Sequence, residues 1–302
     1  MSLRARLLTG WLRQTEKRFI ARTDRPDRLR RHMERTARML FRAPAGVTFD
    51  ELILGPDEGM KLRATSVAPQ DQRDGPLILY FHGGGYVFGS PQTHRAMVAH
   101  LAARTRLKAI LPRYRLAPEN PFPAALEDAL TAYRAVMDHP GGVILGGDSA
   151  GGGLSLSLLA QICALGLRPP VGTFCFSPLT DFTFAGPSFT RNAAADAVLP
   201  AHRAADMVHM YLKGANPSDP RASPLFASFI GAGPVWLTVG DTEILADDTR
   251  RMTDSLIAQG VDVTCVIEQD LPHVWPLMHG LIPEARQTMT ELAGWITALS
   301  RL

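Results

Sequence analysis

The sequence predicts an α/β protein built on one mostly parallel central sheet with helices on both faces. Three observations carry that expectation. From Pro76 onward, short continuous apolar runs alternate with stretches of helical length, and uninterrupted apolar strands are those buried on both faces. Turns rich in Gly or Pro separate the segments. The chain has 302 residues, 46% hydrophobic and 20% charged, which suffices for one large core and excludes disordered or collagen-like classes.

Before the alternation begins, Leu3, Leu7 and Trp11, then Phe19, recur near helical spacing with Arg and Lys between them. Leu29, Met33, Ala37 and Leu40 repeat the pattern after Pro26, so two amphipathic helices with covered apolar faces are expected. Leu52–Leu54 and Leu62–Val67, around the turn Pro56–Gly59, read as an opening antiparallel pair. Further strands are expected at Leu77–Phe81, Lys108–Pro112, Val143–Leu145, Val171–Phe176, Val235–Val239 and Val263–Ile267. Helices are expected at Thr93–Thr105, Pro123–Asp138, Gly151–Leu165, Asp247–Gln259 and Pro283–Leu299. Residues 180–219 break the rhythm, with a helical stretch at His202–Leu212, and an insertion after a strand end lies near the ligand crevice of such sheets. The expected organisation is a helical cap, formed by residues 1–45 and the insertion near 180–219, over an α/β body spanning 46–302.

Residues 1–42 hold 13 Lys/Arg and 4 Asp/Glu, a net of +9 in a chain whose total is +3. Aromatic residues are 7% and no nucleic-acid-binding signature is present, so a solvated basic helix face is expected in place of a nucleic-acid site. No apolar run approaches the ~18 residues needed to span a bilayer. The run from Leu7 to Leu12 meets Arg13, not a small-residue cleavage site, so no secretory signal or membrane insertion is expected. Cys163, Cys175 and Cys265 are widely spaced, which argues against a disulfide framework and for a reducing, cytoplasmic setting.

Gly147-Asp148-Ser149-Ala150-Gly151 matches GxSxG between an apolar strand and a helix of small residues, the setting of a nucleophile elbow. By composition the pentapeptide alone would arise in roughly one chain in ten, so the context carries the weight. His82-Gly83-Gly84-Gly85 follows the strand Leu77–Phe81, and glycines there let backbone amides turn toward an oxyanion. The expected donors are the amides of Gly83, Gly84 and Ala150. A serine on such an elbow is followed in the chain by an acid and then a histidine. His273, on a loop after the strand Val263–Ile267, fits the base, whereas His279 reads as structural or surface. Asp247 and Asp248 fit a helix N-cap and first turn, which leaves Asp241 and Glu243 open for the acid. His94 and His100 read as ordinary helix residues. There is no phosphate loop, no dinucleotide fingerprint and no HExxH, so neither metal nor organic cofactor is implied.

HGGG at 82–85, Tyr114-Arg115-Leu116-Ala117-Pro118-Glu119, Pro121-Phe122-Pro123-Ala124-Ala125 and GDSAG at 147–151 together resemble the hormone-sensitive-lipase branch (bacterial family IV) of the α/β-hydrolases. That family shows a G-x-x-D-P-L-x-D-[DE] stretch whose first Asp is the triad acid. Matching Gly240, Leu245, Asp247 and Asp248 to it puts Glu243 at that position and Ile244 at the Pro. The resemblance implies an α/β-hydrolase fold and a serine carboxylesterase with the triad Ser149, His273 and Glu243, Tyr114–Glu119 as scaffold and Asp148 as support. It implies short- to medium-chain acyl esters and water as partners, with a lactone or arylacetamide-type hydrolase as the alternative of the same chemistry. Plant hormone receptors of this fold bind ligand without turnover, but they lack the catalytic His, and His273 is present here. A homodimer is compatible with the chain.

Overall fold

In the computed structural model, which describes residues 1–56 and 59–299, the strands are β1 (Val47–Leu54), β2 (Leu62–Pro69), β3 (Leu77–Phe81), β4 (Ala109–Pro112), β5 (Val143–Asp148), β6 (Gly172–Phe176), β7 (Val235–Gly240) and β8 (Val263–Glu268). Among the described residues they form one sheet in the order β1-β2-β4-β3-β5-β6-β7-β8. The β1–β2 and β2–β4 pairs are antiparallel and the rest parallel. The opening pair lies where the sequence places it, but β1 starts at Val47, well before the apolar run at Leu52. It is an edge strand in which Thr48, Asp50 and Glu51 are exposed, so three of its eight residues are polar and break up the apolar signal.

The main helices are α1 (Leu3–Gln14), α2 (Glu16–Arg22), α3 (Pro26–Leu40), α4 (Pro91–Thr105), α5 (Ala124–Arg134), α6 (Ala150–Leu165), α7 (Ser188–Arg191), α8 (Ala204–Leu212), α9 (Ala246–Ala258) and α10 (Pro283–Leu299). Strand alternation divides the core into two layers. Leu77, Leu79 and Phe81 of β3 join Ala125 and Ala129 of α5, Leu154 and Leu158 of α6 and Met252 of α9. Ile78 and Tyr80 join Met97 and Leu101 of α4 and Met289 and Ile296 of α10 on the opposite face. All five β3 residues are buried, as a strand covered on both sides requires. Ser90 and Thr93 close a capping box on α4, with Pro91 in its first turn.

The N-terminal segment departs from expectation twice. It forms three helices where two are expected, because Thr15 leaves helical geometry at φ −111° and ψ −76° and separates α1 from α2. The face that α1 buries is also the opposite of the expected one. Ala5 and Leu12 are buried, whereas Leu3 and Leu7 are 69% and 67% exposed. Small Ala5 permits close approach to the Leu271, Trp275 and Ile282 cluster, a fit that Leu3 and Leu7 do not make.

Candidate active site

Strand β5 runs straight into α6, and the chain turns at Ser149 with φ 52° and ψ −121°. A β-carbon at Gly147 would lie 2.2 Å from the Gly151 carbonyl oxygen, and one at Gly151 would lie 2.1 Å from that of Phe81. Only glycine fits either position, which is the physical content of the motif. The Ser149 amide donates to the Phe176 carbonyl at 2.8 Å and its carbonyl accepts from Leu179 at 3.0 Å, so the strained turn is pinned to the end of β6.

The loops after β7 and β8 bring the other two residues to this point. The Ser149 hydroxyl and His273 Nε2 are 2.9 Å apart, and His273 Nδ1 lies 2.5 Å from Glu243 Oε2. Glu243 Oε1 accepts from the Gly240 amide at 2.6 Å and from the Ser177 hydroxyl at 2.8 Å. Ser177 Oγ in turn accepts from the Val274 amide at 3.2 Å, so one hydroxyl ties the acid loop to the histidine loop. Burial works to lower the His273 pKa, but the charge and hydrogen bond of Glu243 outweigh it and hold the value above the ordinary 6.5. Burial raises Glu243, against the pull of the imidazole.

Of the two carboxylates left open by the residues, Asp241 serves elsewhere: its Oδ1 accepts from the Asp270 amide at 2.8 Å. Asp248 accepts from the Thr180 and Asp181 amides at 2.8 and 3.0 Å, and Asp247 from the Ser188 amide at 2.6 Å. Both hold the 180–188 segment onto the first turn of α9. His279 is buried against His100, with ring centroids 4.1 Å apart, and burial pushes its pKa down to about 4.

The glycine loop differs from expectation in one amide. The Gly83 N–H donates to Asp148 Oδ1 at 3.0 Å, which corrects its assignment as an oxyanion donor: its hydrogen is turned away into the protein. Among the described residues, the amides of Gly84, Gly85 and Ala150 make no hydrogen bond, and Gly84 and Gly85 line the cavity over Ser149. Asp148 also accepts from the Tyr80 hydroxyl at 2.7 Å and lies 3.2 Å from His94 Nε2. Burial opposes its charge, yet His94 and Tyr80 bring its pKa below the ordinary value. His94 is therefore not an ordinary helix residue; it anchors Asp148 behind the loop. Tyr114 donates to the His82 carbonyl at 2.7 Å and stacks on the His82 ring, so the segment at 114–119 braces this loop from below.

Sequence reasoning missed the residues of the insertion that grip the acid loop. Asn192 donates to the carbonyls of Asp241 and Glu243, both at 2.8 Å, and Asp196 Oδ2 accepts from the Ile244 amide at 2.9 Å. Lys17 of α2 donates to the carbonyls of Ala193 and Asp196, and Arg13 of α1 to that of Ala195. In the sequence Asn192 and Asp196 are polar side chains in a long loop, and Lys17 and Arg13 are two of many basic residues on the N-terminal helices. From the other side, Arg30 of α3 reaches the carbonyls of Val87 and Ala117 and pairs with Glu119 at 2.7 Å. Above Ser149 the cavity holds about 250 Å³, with Trp11, Leu29, Met33, Leu40, Met207 and Met210 in its walls.

Residues 78–277 match the family model described as alpha/beta hydrolase fold. An esterase of the bacterial hormone-sensitive lipase family superposes with a TM-score of 0.90 at 35% identity, covering 99% of both chains. The chain belongs to the α/β-hydrolase family, in its hormone-sensitive-lipase branch. The structure of EstE5 soaked with p-nitrophenyl butyrate matches with a TM-score of 0.92 at 33% identity over all of both chains. An esterase of Acinetobacter venetianus is 31% identical over 91% of this chain and 89% of its own, and an acetyl-hydrolase of Streptomyces hygroscopicus is 37% identical over 74% and 75%. With these relatives this hydrolase is a carboxylic ester hydrolase. No helix among its described residues is long and apolar enough to cross a membrane.

Proposed function

We propose that this hydrolase cleaves short- to medium-chain acyl esters through a Ser149–His273–Glu243 triad and an acyl-enzyme. The observation that carries the reading is the unbroken series from Ser149 Oγ through both ring nitrogens of His273 to Glu243. Glu243 can only accept, so Nδ1 carries the proton and Nε2 is left with a free lone pair toward Ser149. Ser149 attacks the ester carbonyl as its proton passes to Nε2, and Glu243 stabilises the resulting imidazolium. The oxyanion is received by the amides of Gly84, Gly85 and Ala150; each such donor is worth about 3–4 kcal/mol of barrier in comparable sites. His273 then gives its proton to the leaving alcohol. Water repeats the sequence to free the acid and restore Ser149.

The cap of this reading is α1–α3 together with residues 180–219, since both supply walls of the cavity. Its apolar lining favours acyl chains over polar groups, and about 250 Å³ is at the small end for ligand pockets. The use of p-nitrophenyl butyrate with EstE5 supports the same size range. Hydrolysis of p-nitrophenyl esters from acetate to palmitate should peak at the short end, and Ser149→Ala should lose several orders of magnitude while staying folded. A Ser149→Ala protein retaining more than about a tenth of the turnover would refute the reading.

A further inference from the structure

Helix α1 turns a second apolar face to solvent. Ala5, Leu8 and Leu12 face the protein, where they meet the Leu271 and Trp275 cluster or the cavity wall. On the opposite side Leu3, Leu7 and Trp11 are 69%, 67% and 43% exposed. They stand four residues apart, so at about 100° per residue they form one stripe along the helix. By the same geometry Arg4 borders the stripe on one side, and Arg6 and Arg13 on the other. Arg4 and Arg6 are exposed and have no ion-pair partner among the described residues, as is also true of Arg18 and Arg22 on α2. Trp11 belongs both to this stripe and to the wall of the cavity over Ser149.

We infer that α1 is an interfacial helix that seats the protein on an anionic lipid surface. Leu3, Leu7 and Trp11 enter the boundary between headgroups and acyl chains, and the unpaired Arg4 and Arg6 meet lipid phosphates. The charge distribution selects this occupant. Residues 1–42 carry +9 in a chain of +3, so the stripe lies in the one strongly basic segment of a chain that is otherwise acidic. A second copy meeting the same stripe would set +9 against +9, which opposes a symmetric dimer there. Nucleic acid would use the arginines but leave three large apolar side chains in water. Because Trp11 joins the stripe to the cavity, esters dissolved in the lipid have a short way to Ser149. That consequence rests on the esterase reading; the docking does not.

The test is co-sedimentation of the full chain with vesicles of phosphatidylcholine alone and of phosphatidylcholine with phosphatidylglycerol. Binding is expected on the anionic vesicles and should weaken with salt. Leu3→Ser/Leu7→Ser should reduce partitioning by about tenfold or more, and Arg4→Gln/Arg6→Gln by roughly fivefold per charge. None of these four side chains lines the cavity, so thermal unfolding and turnover of a water-soluble ester should match the parent protein. Absence of binding at every phosphatidylglycerol content overturns the inference, as does unchanged binding of the leucine variant. A dimer in sedimentation velocity that the leucine variant dissociates would also overturn it, by assigning the stripe to a second copy. Vesicle binding by a protein inert on all esters would uphold the docking and refute the proposed function.

Discussion

Replacing Glu243 with glutamine keeps the shape of the side chain and exchanges one acceptor for a donor. Two neighbours then decide how the amide sits. The Gly240 amide can only donate, and it approaches Oε1 at 2.6 Å; the Ser177 hydroxyl donates there at 2.8 Å. The glutamine must therefore turn its oxygen toward them and its NH2 toward His273 Nδ1. That nitrogen can then only accept, so the proton of the neutral imidazole moves to Nε2 and faces the Ser149 hydroxyl. A protonated Nε2 cannot take the serine proton, and the charge that stabilised the imidazolium is also gone. The expected loss in kcat is about 10³–10⁴, with little change in KM. By contrast, Asp241→Asn keeps an oxygen for the Asp270 amide and should cost less than about tenfold, since its partner is a loop amide and not the histidine. Initial rates on p-nitrophenyl butyrate for both variants at one pH decide the matter. A severe loss in Asp241→Asn with a mild one in Glu243→Gln would refute the assignment and the tautomer argument with it.

Two further outcomes are expected. Turnover needs neutral His273, whose pKa is held above 6.5, so kcat/KM should rise with pH through a limb above that value; in Glu243→Gln the two largest raising effects are lost and only the weaker charges of Asp196 and Asp148 oppose burial, so the residual activity should show its limb at lower pH. A limb that stays in place on comparing the two pH profiles would contradict the pairing. Asp148→Ala leaves the Gly83 amide, the Tyr80 hydroxyl and His94 without their buried acceptor, so urea unfolding should show a loss of about 3–5 kcal/mol and kcat should fall about 10² as the glycine loop shifts. Wild-type values for that variant would mean that Asp148 does not hold the loop.

What the sequence determined by itself is what depends on short stretches of chain. The Gly147-Asp148-Ser149-Ala150-Gly151 turn is legible because the steric conflict that demands its glycines involves the elbow itself and the strand beside it. The parallel strands are legible because burial on both faces leaves no polar positions, as in β3, whereas β1 at the edge is only half legible. His273 as the proposed base came from chain order, and Glu243 as the proposed acid required the family resemblance, because Asp241 stands two residues away with the same charge. Only the tertiary structure decided which carboxylate meets the imidazole, since that depends on how the loops after β7 and β8 lie against each other. The Gly83 amide was assigned to the wrong partner for the same reason: an N–H in a glycine loop has several allowed directions, and Asp148, 65 residues away in sequence, selects one. Asn192, Asp196 and Lys17 gain their roles from contacts across the whole chain. In α1 the spacing of Leu3, Leu7 and Trp11 gave a correct helix, but periodicity ranks side chains by hydrophobicity alone. Which face is buried was settled by fit: Ala5 and Leu12 pack into the available space, and the larger apolar stripe is left facing outward.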